Sequence, residues 1–245
     1  MLNDRLLEDY MCGFYGYGDY TGHTWLVGME EGGGATESEI RDRLDAWEAG
    51  GRRELDDVIA FHRRTGLSRW FEPNPPLQST WRLLIRMLMV IDGETPSVES
   101  ARAFQGGRLG RIGGSNSIVE LFPLPSPGKD RWHYDEWSAL PELRSRSAYQ
   151  AALKGPRVQH LWRRIQEHKP RLVVFYSIGD MPTWTEVSQC KFTKHEVFYL
   201  ATKGETLFVV TKHPVSFGAS NAYFDSAGSA VREILSGSGN WFEDS

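Results

Sequence analysis

Short, β-prone apolar runs alternate along this chain with longer amphipathic stretches, and that alternation restricts the fold more than any other feature. Thr24 to Met29 is such a run, and it opens into Glu30-Glu31-Gly32-Gly33-Gly34, which reads as a buried strand entering a glycine loop. Ser117 to Phe122 is a second, bounded by Gly113-Gly114 and by the proline-rich segment Pro123 to Gly128, and Arg171 to Tyr176 is a third. The runs His195 to Leu200 and Thr206 to Thr211 read as a hairpin turning at Lys203-Gly204. Between these runs, Thr36-Glu37-Ser38-Glu39 has capping-box spacing and predicts a helix over 37–49. A second helical run reaches His62, and Ser79 is placed to cap a third whose Leu84, Met87, Leu88 and Ile91 share one face. Further helical stretches fall at 139–154, 158–168 and 222–235. The pattern predicts a three-layer α/β/α sandwich around a short, mostly parallel sheet, with ligands bound beyond the carboxyl ends of its strands. No repeat or linker divides residues 1–245, so one domain is expected.

Composition then removes whole classes of function. Cys12 and Cys190 are the only cysteines, too few for an iron-sulfur cluster or a four-thiolate zinc site, and a reducing, cytoplasmic setting is expected. The longest apolar stretch, 81–91, is about half the ~20 residues of a spanning helix and is broken by Arg82 and Arg86, so no membrane partner is expected. The start of the chain lacks the basic and apolar segments of a signal peptide. A net charge of −4 argues against nucleic acid, but it is the sum of −8 over residues 1–100 and +4 over residues 101–245. A local DNA-facing surface in the second part is compatible with that split.

Familiar cofactor motifs are missing. The Gly28 loop is neither a dinucleotide fingerprint nor a P-loop, and adjacent carboxylates at Glu30 and Glu31 would repel a phosphate. No nucleophile elbow or clustered metal-ligand set occurs, so neither metal nor organic cofactor is expected. What remains is Gly28-Met29-Glu30-Glu31-Gly32-Gly33-Gly34 after the first strand, paired with His213-Pro214-Val215-Ser216-Phe217-Gly218-Ala219-Ser220-Asn221 after the last. Together with Val119 to Gly128, these segments resemble the uracil-DNA glycosylase superfamily, and the His-Pro loop is similar in style to its single-strand-selective monofunctional branch.

The resemblance implies a uracil-DNA glycosylase-like fold and hydrolysis of the bond between base and deoxyribose, leaving an abasic site. Bond breaking leaves positive charge on the sugar and negative charge on the base, so a carboxylate near one and a donor near the other both help. By resemblance Glu30 orients the attacking water and stabilises the sugar cation, and His213 donates to the departing base. Gly28, Met29, Glu31, Gly32 and Glu120 would line the base pocket. Uracil-restricted relatives carry a Tyr at the position of Gly32, which excludes bases substituted at C5; glycine removes that obstruction. Glu120 stands where relatives carry an Asn that reads uracil. A carboxylate accepts from the N4 amine of cytosine, and its protonated form could also donate to N3.

These departures point to a C5-substituted cytosine, such as the hypermodified and glucosylated bases of phage DNA, and hence to a role in defence. Uracil excision in repair is one alternative. Others are a non-catalytic DNA-binding module on the same fold and an enzyme acting on a small nucleoside. A flipped base leaves a gap that an apolar wedge can fill, and Phe217 stands at the wedge position. Lys212, Ser216, Ser220, Ser126, Lys129 and the segment Arg108 to Asn116 are candidate phosphate contacts, and Trp70, Phe71, Phe14 or Tyr15 could stack on the base. Each residue also has a plain structural reading: Glu30 as a solvated loop residue, His213 as a turn residue, Glu120 as half of an ion pair and Phe217 as loop packing.

Overall fold

The computed structural model describes residues 1–128 and 130–237. In chain order the elements are α1 (Asp4–Gly13), β1 (Gly16–Tyr17), β2 (Thr24–Glu30), α2 (Glu37–Ala49), β3 (Leu55–Asp56), α3 (Val58–Arg64), α4 (Ser79–Ile91), α5 (Val98–Gly107) and β4 (Asn116–Phe122). There follow α6 (Tyr134–Trp137), α7 (Arg146–His168), β5 (Leu172–Tyr176), α8 (Met181–Ser188), β6 (Thr193–His195), β7 (Phe198–Lys203), β8 (Thr206–Thr211) and α9 (Asn221–Leu235). The strands form one mixed eight-stranded sheet in the order β3-β1-β4-β2-β5-β8-β7-β6. Its four central strands, β4, β2, β5 and β8, are parallel. The sheet departs from the expected short, mostly parallel form at its edges: β7 and β6 continue it antiparallel on one side, and β1 pairs antiparallel with β4 on the other.

Parallel strands covered on both faces read as continuous apolar runs, and β4, β5 and β8 are buried along their full length. α7 packs on β4, α8 and α1, while α4 packs on α9 and α5, an arrangement compatible with three layers. The buried side chains make one continuous cluster. Among the described residues no helix is long and apolar enough to cross a membrane.

Three local expectations change. The stretches expected at 139–154 and 158–168 are one helix, α7, which runs through Pro156 because Tyr149 before it and Leu161 and Ile165 after it sit in the same core. Gln78, not Ser79, caps α4, its side-chain oxygen accepting from the Trp81 amide at 2.8 Å. At α2, Thr36 caps as expected, but Glu39 reaches past the cap to the amides of Gly34 and Ala35 at 2.8 and 3.1 Å.

Arg157, only 1% exposed, is anchored without a carboxylate. Its guanidinium donates to the carbonyls of Met11, Phe14 and Glu120 at 2.9, 2.8 and 3.0 Å and to that of Leu121, and lies 3.6 Å from the centre of the Tyr15 ring. It therefore ties α1 and the chain entering β1 to the carboxyl half of β4. Arg157→Met should leave buried carbonyls without donors and cost about 3 kcal/mol or more of stability, read as a lowered urea midpoint.

Candidate active site

Because β4, β2, β5 and β8 are parallel, their carboxyl ends emerge on one edge of the sheet, and the chain that builds β4 on one side of β2 then crosses over to build β5 on the other. That reversal opens a crevice at the end of β2. A cleft of about 830 Å³ lies there. Its walls come from the loop after β2, the ends of β4 and β5, the loop after β8, and the segment from α2 to the start of α4.

At its base Glu120 on β4 is in register with Gly28 on β2, and Tyr176 on β5 lies one step beyond the pair Val27 and Phe175. The three residues thus form a row across three strands. The Tyr176 hydroxyl donates to Glu120 Oε1 at 2.5 Å, while Glu120 Oε2 is enclosed with no hydrogen-bond partner among the described residues. A Cβ at Gly28 would overlap both the Tyr176 hydroxyl and Glu120 Oε2, so only glycine lets the pair meet over β2. Glu120 is 5% exposed, and burial pushes its pKa well above the ordinary value. The Tyr176 hydrogen bond opposes that rise, and the charges of Glu31 and Glu30 add to it. The carboxyl is consequently held as the neutral acid over a pH range in which an exposed glutamate is ionised. Gly28 lies beneath this pair and does not line the cleft, a correction to its expected place in the base pocket.

Glu30 and Glu31 both line the cleft, and each meets an arginine from a different helix. Arg146, in the first turn of α7, pairs with Glu30 Oε1, and Arg43 of α2 pairs with Glu31 at 2.5 Å. Gly32 and Met29 also line the cleft, and a Cβ placed on Gly32 would meet nothing within 4 Å. The space beside Gly32 is therefore open.

His213 lines the opposite wall, its ring 5.8 Å from that of Tyr176. The Val215 amide lies 3.4 Å from His213 Nδ1 as donor, which leaves the proton of a neutral ring on Nε2. The loop folds back on itself: the Ser216 amide and hydroxyl both donate to the His213 carbonyl, at 2.9 and 2.7 Å, and Lys212 Nζ reaches the Gly218 carbonyl at 3.4 Å. Phe217 is 103% exposed on this loop, so it does not pack inward. Ser220 caps α9 and Lys212 lies over the Tyr223 ring, each with a structural task. Ser126 is buried at the cleft wall, donating to the carbonyls of Gly128 and Arg131. Lys129 lies outside the described residues. The segment Arg108 to Asn116 precedes β4 and so stands at the opposite edge of the sheet; Arg108 pairs there with Asp92 and Glu94, and Arg111 with Asp57, which removes it from the site.

Of the expected stacking residues only Trp70 lines the cleft. Phe14 and Tyr15 are core, stacked on Phe61 and His160, and Phe71 packs edge-on to His62. Residues that the motifs did not single out complete the walls, notably Tyr176, Arg43, His62 and Trp81, while Arg146 reaches the site through Glu30. Tyr176 had a legible signal as the polar-tipped end of an apolar strand; the others come from helices with no motif. Among the described residues no group of three or more His, Cys, Asp or Glu is placed to hold a metal ion.

Folding raises the Glu120 pKa, so the folded protein keeps a proton that the unfolded chain releases, and stability falls as pH climbs from the ordinary carboxylate range toward the folded value. Glu120→Gln retains the neutral shape and the Tyr176 hydrogen bond. Its stability relative to wild type should rise between pH 5 and 8, read by thermal melts; parallel profiles would contradict a buried neutral carboxyl.

No protein-family model matches the chain, and no curated protein matches it, so the chemistry of the cleft is the ground on which a function is assigned.

Proposed function

We propose that this protein is a monofunctional DNA glycosylase with a uracil-DNA glycosylase-like fold, which flips a C5-substituted cytosine from DNA and hydrolyses its bond to deoxyribose. The observation that carries this reading is the enclosed Glu120, held by Tyr176, beside the open space at Gly32. In the neutral state Glu120 offers a hydroxyl to cytosine N3 and a carbonyl oxygen to the N4 amine, the two-point match of an acid with an amidine edge. Attack of water at the sugar carbon then breaks the bond to base N1. The proton of the water passes to Glu30, the proton of Glu120 leaves with the base on N3, and His213 Nε2–H donates to the base carbonyl as charge builds there. No lysine among the described residues lines the cleft, which supports hydrolysis over a Schiff-base route. Exposed Phe217 is suited to fill the vacated stack, with Lys212 beside it.

The neutral form of Glu120 also matches uracil, taking N3–H on its carbonyl oxygen and donating to O4. Preference for a substituted cytosine therefore rests on the space beside Gly32 rather than on Glu120 alone, and uracil excision is the nearest alternative. The ion pair between Arg146 and Glu30 favours a different second reading, a DNA-binding module without catalysis, because an arginine on the carboxylate competes with the water it would hold.

Alkali-induced strand breaks in duplexes carrying uracil, cytosine, hydroxymethylcytosine or glucosylated hydroxymethylcytosine separate these readings. Wild type should cut the substituted cytosines, with a rate that falls as pH rises through the Glu120 pKa. Glu30→Gln and His213→Ala should each lose about 10²-fold or more. Gly32→Tyr should abolish cutting of substituted bases selectively. Breaks at uracil alone would establish the repair reading, and none on any substrate the binding module. We attach defence against phages with modified cytosine to this activity; in plaque assays protection should be confined to such phages, and equal protection against unmodified phages would remove that role.

A further inference from the structure

The antiparallel end of the sheet reaches the same edge as the cleft. β7 runs against β8 with Tyr199 opposite Val210, so the two-residue turn Glu196-Val197 between β6 and β7 stands beside the carboxyl end of β8. Tyr223, in the first turn of α9, fastens that turn to the His213 loop. Its hydroxyl donates to the Val197 carbonyl at 3.1 Å and accepts from the Lys212 amide at 3.0 Å. The cleft lies on the other side of the loop, at the ends of β2 and β5. We propose that the β6–β7 turn is a second DNA-binding element, which engages the strand opposite the flipped nucleotide and so makes duplex DNA the preferred partner. The inference rests on the base-flipping reading for the path of the DNA, and on a turn which that reading does not use for the contact.

Three observations carry it. First, the joined turns leave apolar side chains bare together: Val197 is 46% exposed, Val215 is 59% exposed and Phe217 is fully exposed. Such side chains side by side mark a contact surface, where one alone would not. Second, the cations around them are free of carboxylates. Lys194 is exposed, in register opposite Tyr199, and Lys212 Nζ lies 5.3 Å from the centre of the Tyr223 ring; neither makes an ion pair among the described residues. Arg82 of α4 bonds only to the neutral side chain of Asn221 at the start of α9, at 2.8 Å. Glu196 on the turn is the opposing charge, so the balance is positive, as a phosphate backbone requires.

Third, the spacing suits a second strand. β7 and β6 carry the turn one to two strand spacings outward from β8, about 5 to 10 Å. That is the scale of a DNA groove, ~6 to 12 Å wide. With the flipped base in the cleft and Phe217 in the vacated stack, the complementary strand passes on the far side of the loop, within reach of Val197 and Lys194. A single strand threading the cleft has no chain to offer there.

The test uses a duplex and a single strand that each carry the uncleavable abasic analogue tetrahydrofuran, with equilibrium binding measured by fluorescence anisotropy over a range of salt. Excision of hydroxymethylcytosine from the same two forms is scored in parallel. Wild type should bind the duplex at least tenfold more tightly than the single strand. Val197→Ser and Lys194→Gln should each shrink that ratio by about three- to fivefold, and Lys194→Gln should also lower the salt slope for the duplex by about one. Val98→Ser, at a comparably exposed valine on α5, should leave the ratio unchanged. A wild-type ratio near one, or turn variants that weaken both forms in proportion, would overturn the proposal. Excision by wild type with an unchanged ratio in the turn variants would remove the second element and leave the glycosylase reading standing. The expected binding pattern without excision from either form would do the reverse, and no binding of either form would remove both.

Discussion

The hydrogen bond from Tyr176 to Glu120 crosses the strand between them, and much of the molecule is arranged so that it can. The row Glu120, Gly28 and Tyr176 exists only because β4, β2 and β5 are parallel and in the observed register; a slip of one residue in β4 or β5 would turn Glu120 or Tyr176 to the other face. Gly28 has to lack a side chain, a concession in a buried strand, where glycine packs nothing and loses the most backbone freedom. Arg157 reinforces the same place from behind β4 by binding the carbonyls of Glu120 and Leu121. Fold and site share one support: a carboxyl enclosed at a strand end, clamped at its backbone by a buried cation and at its side chain by a phenol.

The acidic look of the first motif also changes meaning in three dimensions. Glu30 ends β2 and Glu31 begins the loop after it, and the two reach different helices, Arg146 on α7 and Arg43 on α2. Each negative charge is offset locally, and the end of β2 is fastened on both sides. With Glu120 neutral as well, the cleft interior carries far less charge than its sequence suggests. Such an interior suits an uncharged ligand better than an anionic one.

Long-period features of the sequence were legible and contacts between distant elements were not. The span of α2, the ends of β4, β5, β8 and α9, and the hairpin of β7 and β8 follow from apolar runs and turn residues. α1 and α5 were missed although Asn3 and Ser97 cap them, because their apolar faces are short and interleaved with charge. β1 and β3 have two residues each and no periodicity to detect. At the site, the residues on strand-end loops were found because motifs mark them; of those expected at the cleft, Gly28 proved to be a spacer beneath the pair. The helix-borne arginines, His62 and Trp81 arrive through packing, which leaves no local spacing to read. Phe217 shows the opposite limit: its position was evident, but only the fold decides that the ring faces solvent.

The glycine loop after β2 tests how far composition can be trusted. Gly32-Gly33-Gly34 before a helix has the makings of an anion cradle, since backbone amides at a helix entrance attract phosphate. Repulsion by the neighbouring carboxylates was the argument against that, and the arginines largely cancel it. The stronger reason lies in Glu39, whose two oxygens already accept from the amides of Gly34 and Ala35. Gly33 and Gly34 adopt positive φ, and a Cβ on either would strike Glu39 or the Pro125 carbonyl, so the glycines serve to close the loop tightly on the chain's own carboxylate. An incoming phosphate would have to displace an anion that is covalently part of the helix it seeks. The loop is thus built to hold its shape beside the cleft, leaving Gly32, the one glycine of the three with open space around it, to determine what fits.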